Sequence, residues 1–207
     1  MTTTTSDVGT STAGHTAQRM SEQPIQRISG RTVLENRFIR VDTDDVVFPN
    51  GVPGEYSVIT SGTGVGVVVI PALDFRGCLY LGMVRQYRYP VKEFTLEFPR
   101  GGSTDLGLEE AVRELAEETS LHTTSATHLG TIWPDTGILD TEVAVWKTSH
   151  ASDGIKPEHV EDESGARVQW YTYGEIVGLI RAGRIRCGMT LAALALIEGV
   201  GALQSTR

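Results

Sequence analysis

The run GVGVVVIPAL, residues 64–73, constrains the fold more than any other stretch of this chain. It does not alternate between apolar and polar residues, as a strand with one wet face would. An uninterrupted apolar run of this length suits a strand covered on both faces. The surrounding pattern supplies partners. RTVLENRFIRVDTDDVVFPNGVPGEYSVITSG alternates β-branched and aromatic residues around the turn signals PNG and PGE, so it reads as strands and hairpins. CLYLGMVRQYRYP and FTLEFP read as strands ending at Pro90 and Pro99. RGGSTDLG is a glycine-rich loop, followed by a helix over Leu108–Thr119. ATHLGTIWP, TEVAVWKTSH and ARVQWYTY read as strands, and GEIVGLIRAG and MTLAALALIEGV as helices. The expected class is α+β, organised as an α/β/α sandwich with a mixed sheet. The expected divisions are a disordered tail over 1–28, a small antiparallel β-domain over 29–62, and the main domain over 63–207.

The helix VRELAEETSL carries the chemistry. Glu110, Glu114, Glu117 and Glu118 share one face at i, i+3 and i+4 spacing. Leu108, Val112, Leu115 and Ala116 lie opposite, as the core-facing side. Like charges at i, i+4 each cost about 0.2–0.5 kcal/mol, so a retained stripe of carboxylates calls for a cation. Carboxylate oxygens without His or Cys suit Mg²⁺ or Mn²⁺ rather than zinc. Taken alone, such a stripe is more often a solvated acidic surface. Arg113 flanks it, but no basic residue interrupts it, and a glycine-rich loop leads into it from a strand.

The net charge of −8 argues against a general nucleic-acid binder. No stretch approaches the apolar length of a membrane span. The N-terminus has no apolar core of a secretory signal, and the cysteines Cys78 and Cys187 form no framework or metal-ligand spacing. A reducing cytoplasm is the expected compartment.

RELAEET, followed by Leu121, resembles the second half of the Nudix box, with Arg113, Glu114, Leu115, Glu117 and Glu118 in register. VRQYRYP and FTLEFPRG resemble the strands leading into that box in ADP-ribose pyrophosphatases and related nucleoside-diphosphate-sugar hydrolases. The spacing from Gly101 to Arg113 is two residues shorter than the family pattern. The usual loop glutamate is absent, with Asp105 or Glu109 as stand-ins, and Ser120 replaces the closing glycine.

The resemblance implies a metal-dependent pyrophosphohydrolase acting on a nucleoside diphosphate derivative, ADP-ribose or an ADP-sugar first among them. It implies Glu114, Glu117, Glu118 and the backbone carbonyl of Arg100 as metal ligands. Arg113 would orient a glutamate by ion pairing. Arg88, with Gln86 on its side of the strand, and Arg85, on the other, are the phosphate-binding candidates, with Gly101 lining the site. A general base would come from the loop EHVEDESGAR: Glu163 first, Glu161 second, with Glu158 and Asp162 nearby. The proline that marks bacterial ADP-ribose hydrolases would fall at Thr136, whereas Pro134 stands two residues earlier. Trp133, Tyr87 and Tyr89 are stacking candidates for a base. The N-terminal strands resemble the β-domain through which that branch forms homodimers. The competing reading is a Nudix-fold nucleotide-binding or regulatory module with little catalysis.

Overall fold

The computed structural model describes residues 24–150 and 168–201. The first three strands, β1 (Gln26–Glu35), β2 (Ile39–Val47) and β3 (Pro53–Ser61), form an antiparallel sheet in that order. β1 begins at Gln26, inside the stretch expected to be disordered. PNG makes the β2–β3 turn: Gly51 has φ 79°, and Asn50 Oδ1 accepts the Val52 amide at 3.1 Å. PGE is not a turn. It opens β3, where Pro53 takes the first strand position, one that tolerates a residue without an amide donor.

The larger sheet is built on β4 (Val65–Phe75), the strand formed by the apolar run. With β5 (Cys78–Arg88), β6 (Glu93–Glu97), β7 (Arg100–Gly102), β8 (Ala126–Ile132), β9 (Glu142–His150) and β10 (Gln169–Thr172) it makes seven strands. The main path runs β10-β5-β4-β9-β8, with β6 on β5 and β7 on β4. β4 and β9 are parallel and every other pairing is antiparallel, so the sheet is mixed.

Alternation along β4 distributes its side chains to two layers. Val68, Ile70 and Ala72 join Leu81, Met83, Phe98, Val143 and Val145 in the main core. The helices α2 (Tyr173–Arg181) and α3 (Gly188–Gly199) cover it with Ile176, Ala193, Leu194 and Ile197. Val69 faces the opposite way and packs on Ala111 and Leu115 of α1 (Leu108–Thr119). The sheet therefore lies between α1 on one side and α2 and α3 on the other, as the sequence pattern predicts. The buried line of α1 runs through Ala111, Leu115 and Thr119, at i, i+4 and i+8. Leu108, Val112 and Ala116, expected on the core-facing side, sit at its margin and are only half-buried.

α1 ends as its sequence foretells, at a cost. Ser120 closes it in the left-handed region, φ 58° and ψ 14°, with its amide bonded to the Ala116 carbonyl. A residue with a Cβ is strained there by about 1 kcal/mol relative to glycine. Ser120→Gly should therefore raise the unfolding free energy by about 1 kcal/mol in urea denaturation, against the entropy that glycine adds to the unfolded chain.

Candidate active site

β7 and α1 meet at Gly101. A Cβ built on Gly101 would lie 2.1 Å from Glu114 Oε2, so only glycine lets the helix carboxylate rest under this strand. Glu114 is buried. Burial pushes its carboxyl above the ordinary range, and Glu117 and Glu118 add to that against the opposing pull of Arg113.

Arg113 answers much of the charge on α1. Its Nη2 donates to Glu114 Oε1 at 2.7 Å and to Glu110 Oε2 at 3.1 Å, and its Nη1 to Glu117 Oε2 at 2.8 Å. The same Nη2 reaches the Gly102 carbonyl at 3.3 Å, tying the helix to β7. The orienting role expected of Arg113 thus has a geometric basis with three glutamates rather than one.

Glu118 is held from another direction. Gln86 Nε2 donates to its Oε1 at 2.8 Å, and the Arg100 amide to its Oε2 at 3.0 Å. Gln86 and Arg88 occupy the same face of β5, and Arg88 points to the same region. Arg88 meets Glu97, with Nη2 2.7 Å from Oε2 and Nε 3.2 Å from each carboxylate oxygen. Arg100 Nε donates to the same Oε2 at 2.7 Å, and Thr95 Oγ1 to Oε1 at 2.6 Å. Glu97 is 1% exposed, and these donors hold its carboxyl down at about 2 despite the burial that opposes ionisation.

The structure thus brings together Gln86, Arg88, Arg100, Gly101, Arg113, Glu114, Glu117 and Glu118. Arg85 is not among them. It projects from the opposite face of β5, with its guanidinium 4.0 Å from the Phe94 ring centre, beside Tyr87. The stand-ins for the loop glutamate are engaged elsewhere: Asp105 Oδ1 accepts the Gly107 amide at 2.6 Å, and Glu109 is exposed. Tyr87, Tyr89 and Trp133 are exposed, which leaves their rings accessible to a base. Glu158, Glu161, Asp162 and Glu163 lie outside the described residues.

Sequence reasoning missed Glu97 and Thr95. The signal was present in FTLEFPR: a carboxylate two positions from Thr95, flanked by Leu96 and Phe98, and three residues before an arginine. A charge in so apolar a setting needs partners.

The donor chemistry suits a hard divalent cation. Glu114, Glu117, Glu118 and the Arg100 carbonyl offer only oxygen. Among the described residues, no three His, Cys, Asp or Glu side chains converge in a ready-made metal cage. Arg113, Gln86 and the Arg100 amide occupy the carboxylates instead.

The chain is similar to several known proteins. Residues 25–59 match the model of the nucleoside diphosphate sugar hydrolase N-terminal domain. The chain is 23% identical over 183 residues to an ADP-ribose pyrophosphatase of Bacillus subtilis (strain 168), covering 87% of this chain and 96% of that protein. It is also 23% identical over 174 residues to a methanol dehydrogenase activator of Bacillus methanolicus, covering 83% and 91%. Among solved structures it superposes on an ADP compounds hydrolase with a TM-score of 0.66 and 19% identity, covering 86% of this chain and 95% of that one.

Proposed function

We infer that this chain is a Nudix hydrolase of the ADP-ribose pyrophosphatase-like branch, and from that premise propose that it cleaves the diphosphate of ADP-ribose or an ADP-sugar, releasing AMP and a sugar phosphate. The observation that carries the reading is a junction of opposite charges. The acidic face of α1 and the Arg88–Glu97–Arg100 cluster meet at one residue, Arg100, whose amide holds Glu118 while its guanidinium holds Glu97. A diphosphate needs both kinds of group: cations to offset its negative oxygens, and carboxylates to hold a metal and take a proton from water.

The chain's own residues divide the work. Arg88 binds a phosphate oxygen. Arg113 fixes Glu114 and Glu117 in orientation, and Gln86 with the Arg100 amide does the same for Glu118. Glu163, or Glu161 in its place, accepts the proton of the attacking water. Mg²⁺, or Mn²⁺ in its stead, held by Glu114, Glu117, Glu118 and the Arg100 carbonyl, would supply charge neutralisation at the diphosphate and easier ionisation of that water.

No helix among the described residues is long and apolar enough to cross a membrane. β1 is exposed along its whole length and carries Ile28, Val33 and Leu34 uncovered, which supports a homodimer formed through the N-terminal sheet.

Incubation with ADP-ribose, ADP-glucose, NADH and dNTPs, with and without Mg²⁺, tests the proposal. AMP release from ADP-ribose that stops when Mg²⁺ is withheld is the expected result. Tight nucleotide binding with no turnover on any substrate would instead favour the regulatory module.

A further inference from the structure

Glu97 carries more positive charge around it than its own ionisation requires. A buried carboxylate is satisfied by a single arginine fork. Here two guanidinium groups converge on one oxygen, Oε2, each at 2.7 Å. The trio of side chains therefore keeps a net charge of +1. Its donors are only partly used. Arg88 spends Nε and Nη2, and Arg100 spends Nε. Among the described residues, Nη1 of Arg88 and both Nη groups of Arg100 donate to no protein group. The two side chains are 27% and 25% exposed, so those donors face solvent from a rigid base. The cluster also borders the acidic helix, since Glu118 acts electrostatically on Arg88 and directly binds the Arg100 amide.

We propose that the Arg100 guanidinium is a second anion-binding group beside Arg88, that Glu97 is the positioning residue holding the two apart and aimed outward, and that the pair selects two adjoining phosphoryl groups over one. The proposal rests on the hydrolase reading above and names the element of the site that recognises its diphosphate. A lone arginine binds a monophosphate as readily as one end of a diphosphate. Two guanidinium groups fixed on a shared carboxylate can each take one phosphoryl group of a diphosphate, which gains more from the second group than a single phosphoryl group does.

Calorimetric titration of the metal-free, full-length protein with inorganic pyrophosphate and with orthophosphate tests this without catalysis. The wild type should prefer pyrophosphate. Arg100→Leu should weaken pyrophosphate binding by about tenfold and orthophosphate binding far less, the loss expected for one charged hydrogen-bonding group. Glu97→Gln gives an opposed-sign test. It removes a negative charge beside two cations, so a purely electrostatic Glu97 predicts tighter pyrophosphate binding, whereas a positioning Glu97 predicts weaker binding. Unchanged pyrophosphate affinity in Arg100→Leu, tighter binding in Glu97→Gln, or no pyrophosphate preference in the wild type overturns the proposal. Should Glu97→Gln fail to fold, Arg100→Leu decides alone. A wild type that discriminates the two anions yet hydrolyses nothing defeats the hydrolase reading and leaves this inference standing.

Discussion

Glu118→Gln should remove nearly all pyrophosphohydrolase activity, a loss on the order of 10²–10³ in kcat, comparable with deleting a key electrostatic group from other active sites. The substitution is close to isosteric. Its amide oxygen can keep the Arg100 amide as donor, and its NH₂ can pair with the oxygen of Gln86 once that side-chain amide rotates. Folding should therefore survive, with a melting temperature close to that of the wild type. What disappears is a formal negative charge on the metal-facing side of α1. Near-normal turnover with Mg²⁺ present would remove Glu118 from the set of metal ligands. A collapse of melting temperature alongside activity would recast it as a structural residue.

The second large effect falls on stability. Glu97→Ala should destabilise the protein by about 3–5 kcal/mol, because it leaves Arg88 and Arg100 facing each other with no counter-charge. Acid should reach the same interaction. The Glu97 carboxyl ionises at about 2 in the folded protein, against an ordinary value of 4.5. A group whose folded pKa is depressed contributes stability above its unfolded pKa and loses it as the pH falls through its folded one. The shift corresponds to about 3 kcal/mol, present above pH 4.5 and lost as the pH drops toward 2. Urea denaturation of the wild type and Glu97→Gln between pH 7 and pH 2 checks this. The gap between their unfolding free energies should be widest above pH 4.5 and should close below it. A gap that does not vary with pH would mean that the carboxylate's charge contributes nothing.

Periodicity made the layers legible. The apolar run of β4 had to be covered twice, and Val68 and Val69 do point to opposite cores. The ends of α1 were readable because Ser120 terminates a helical repeat where a glycine would normally stand. The stripe of glutamates called for a cation, and Arg113 supplies one within its own helix, reaching back to Glu110 and forward to Glu117, which i, i+3 and i, i+4 geometry allows. Arg100 lies three residues on from Glu97, but the pairing of Glu97 with Arg88 depended on segments distant in sequence. It arises because β6 folds back on β5 and places Glu97 opposite Val84, in reach of an arginine nine residues earlier. The expected split of Arg88 and Arg85 onto two faces followed from strand alternation alone, and the structure separates them in that way.

The join between the two sheets has a bearing on how the chain can be cut. Segment 137–141 lies along β3: the Ile59 amide donates to the Ile138 carbonyl at 2.8 Å, and the Asp140 amide to the Ile59 carbonyl at 3.3 Å. Thr60 Oγ1 donates to Asp140 Oδ2 and the Tyr56 hydroxyl to the Gly137 carbonyl. Proteolysis or truncation near Ser61 would sever these cross-links and strand the approach to β9 without its hydrogen-bonding neighbours. The loop that bears Trp133 thus ties the two sheets together, and cutting it would loosen the N-terminal sheet from the larger one.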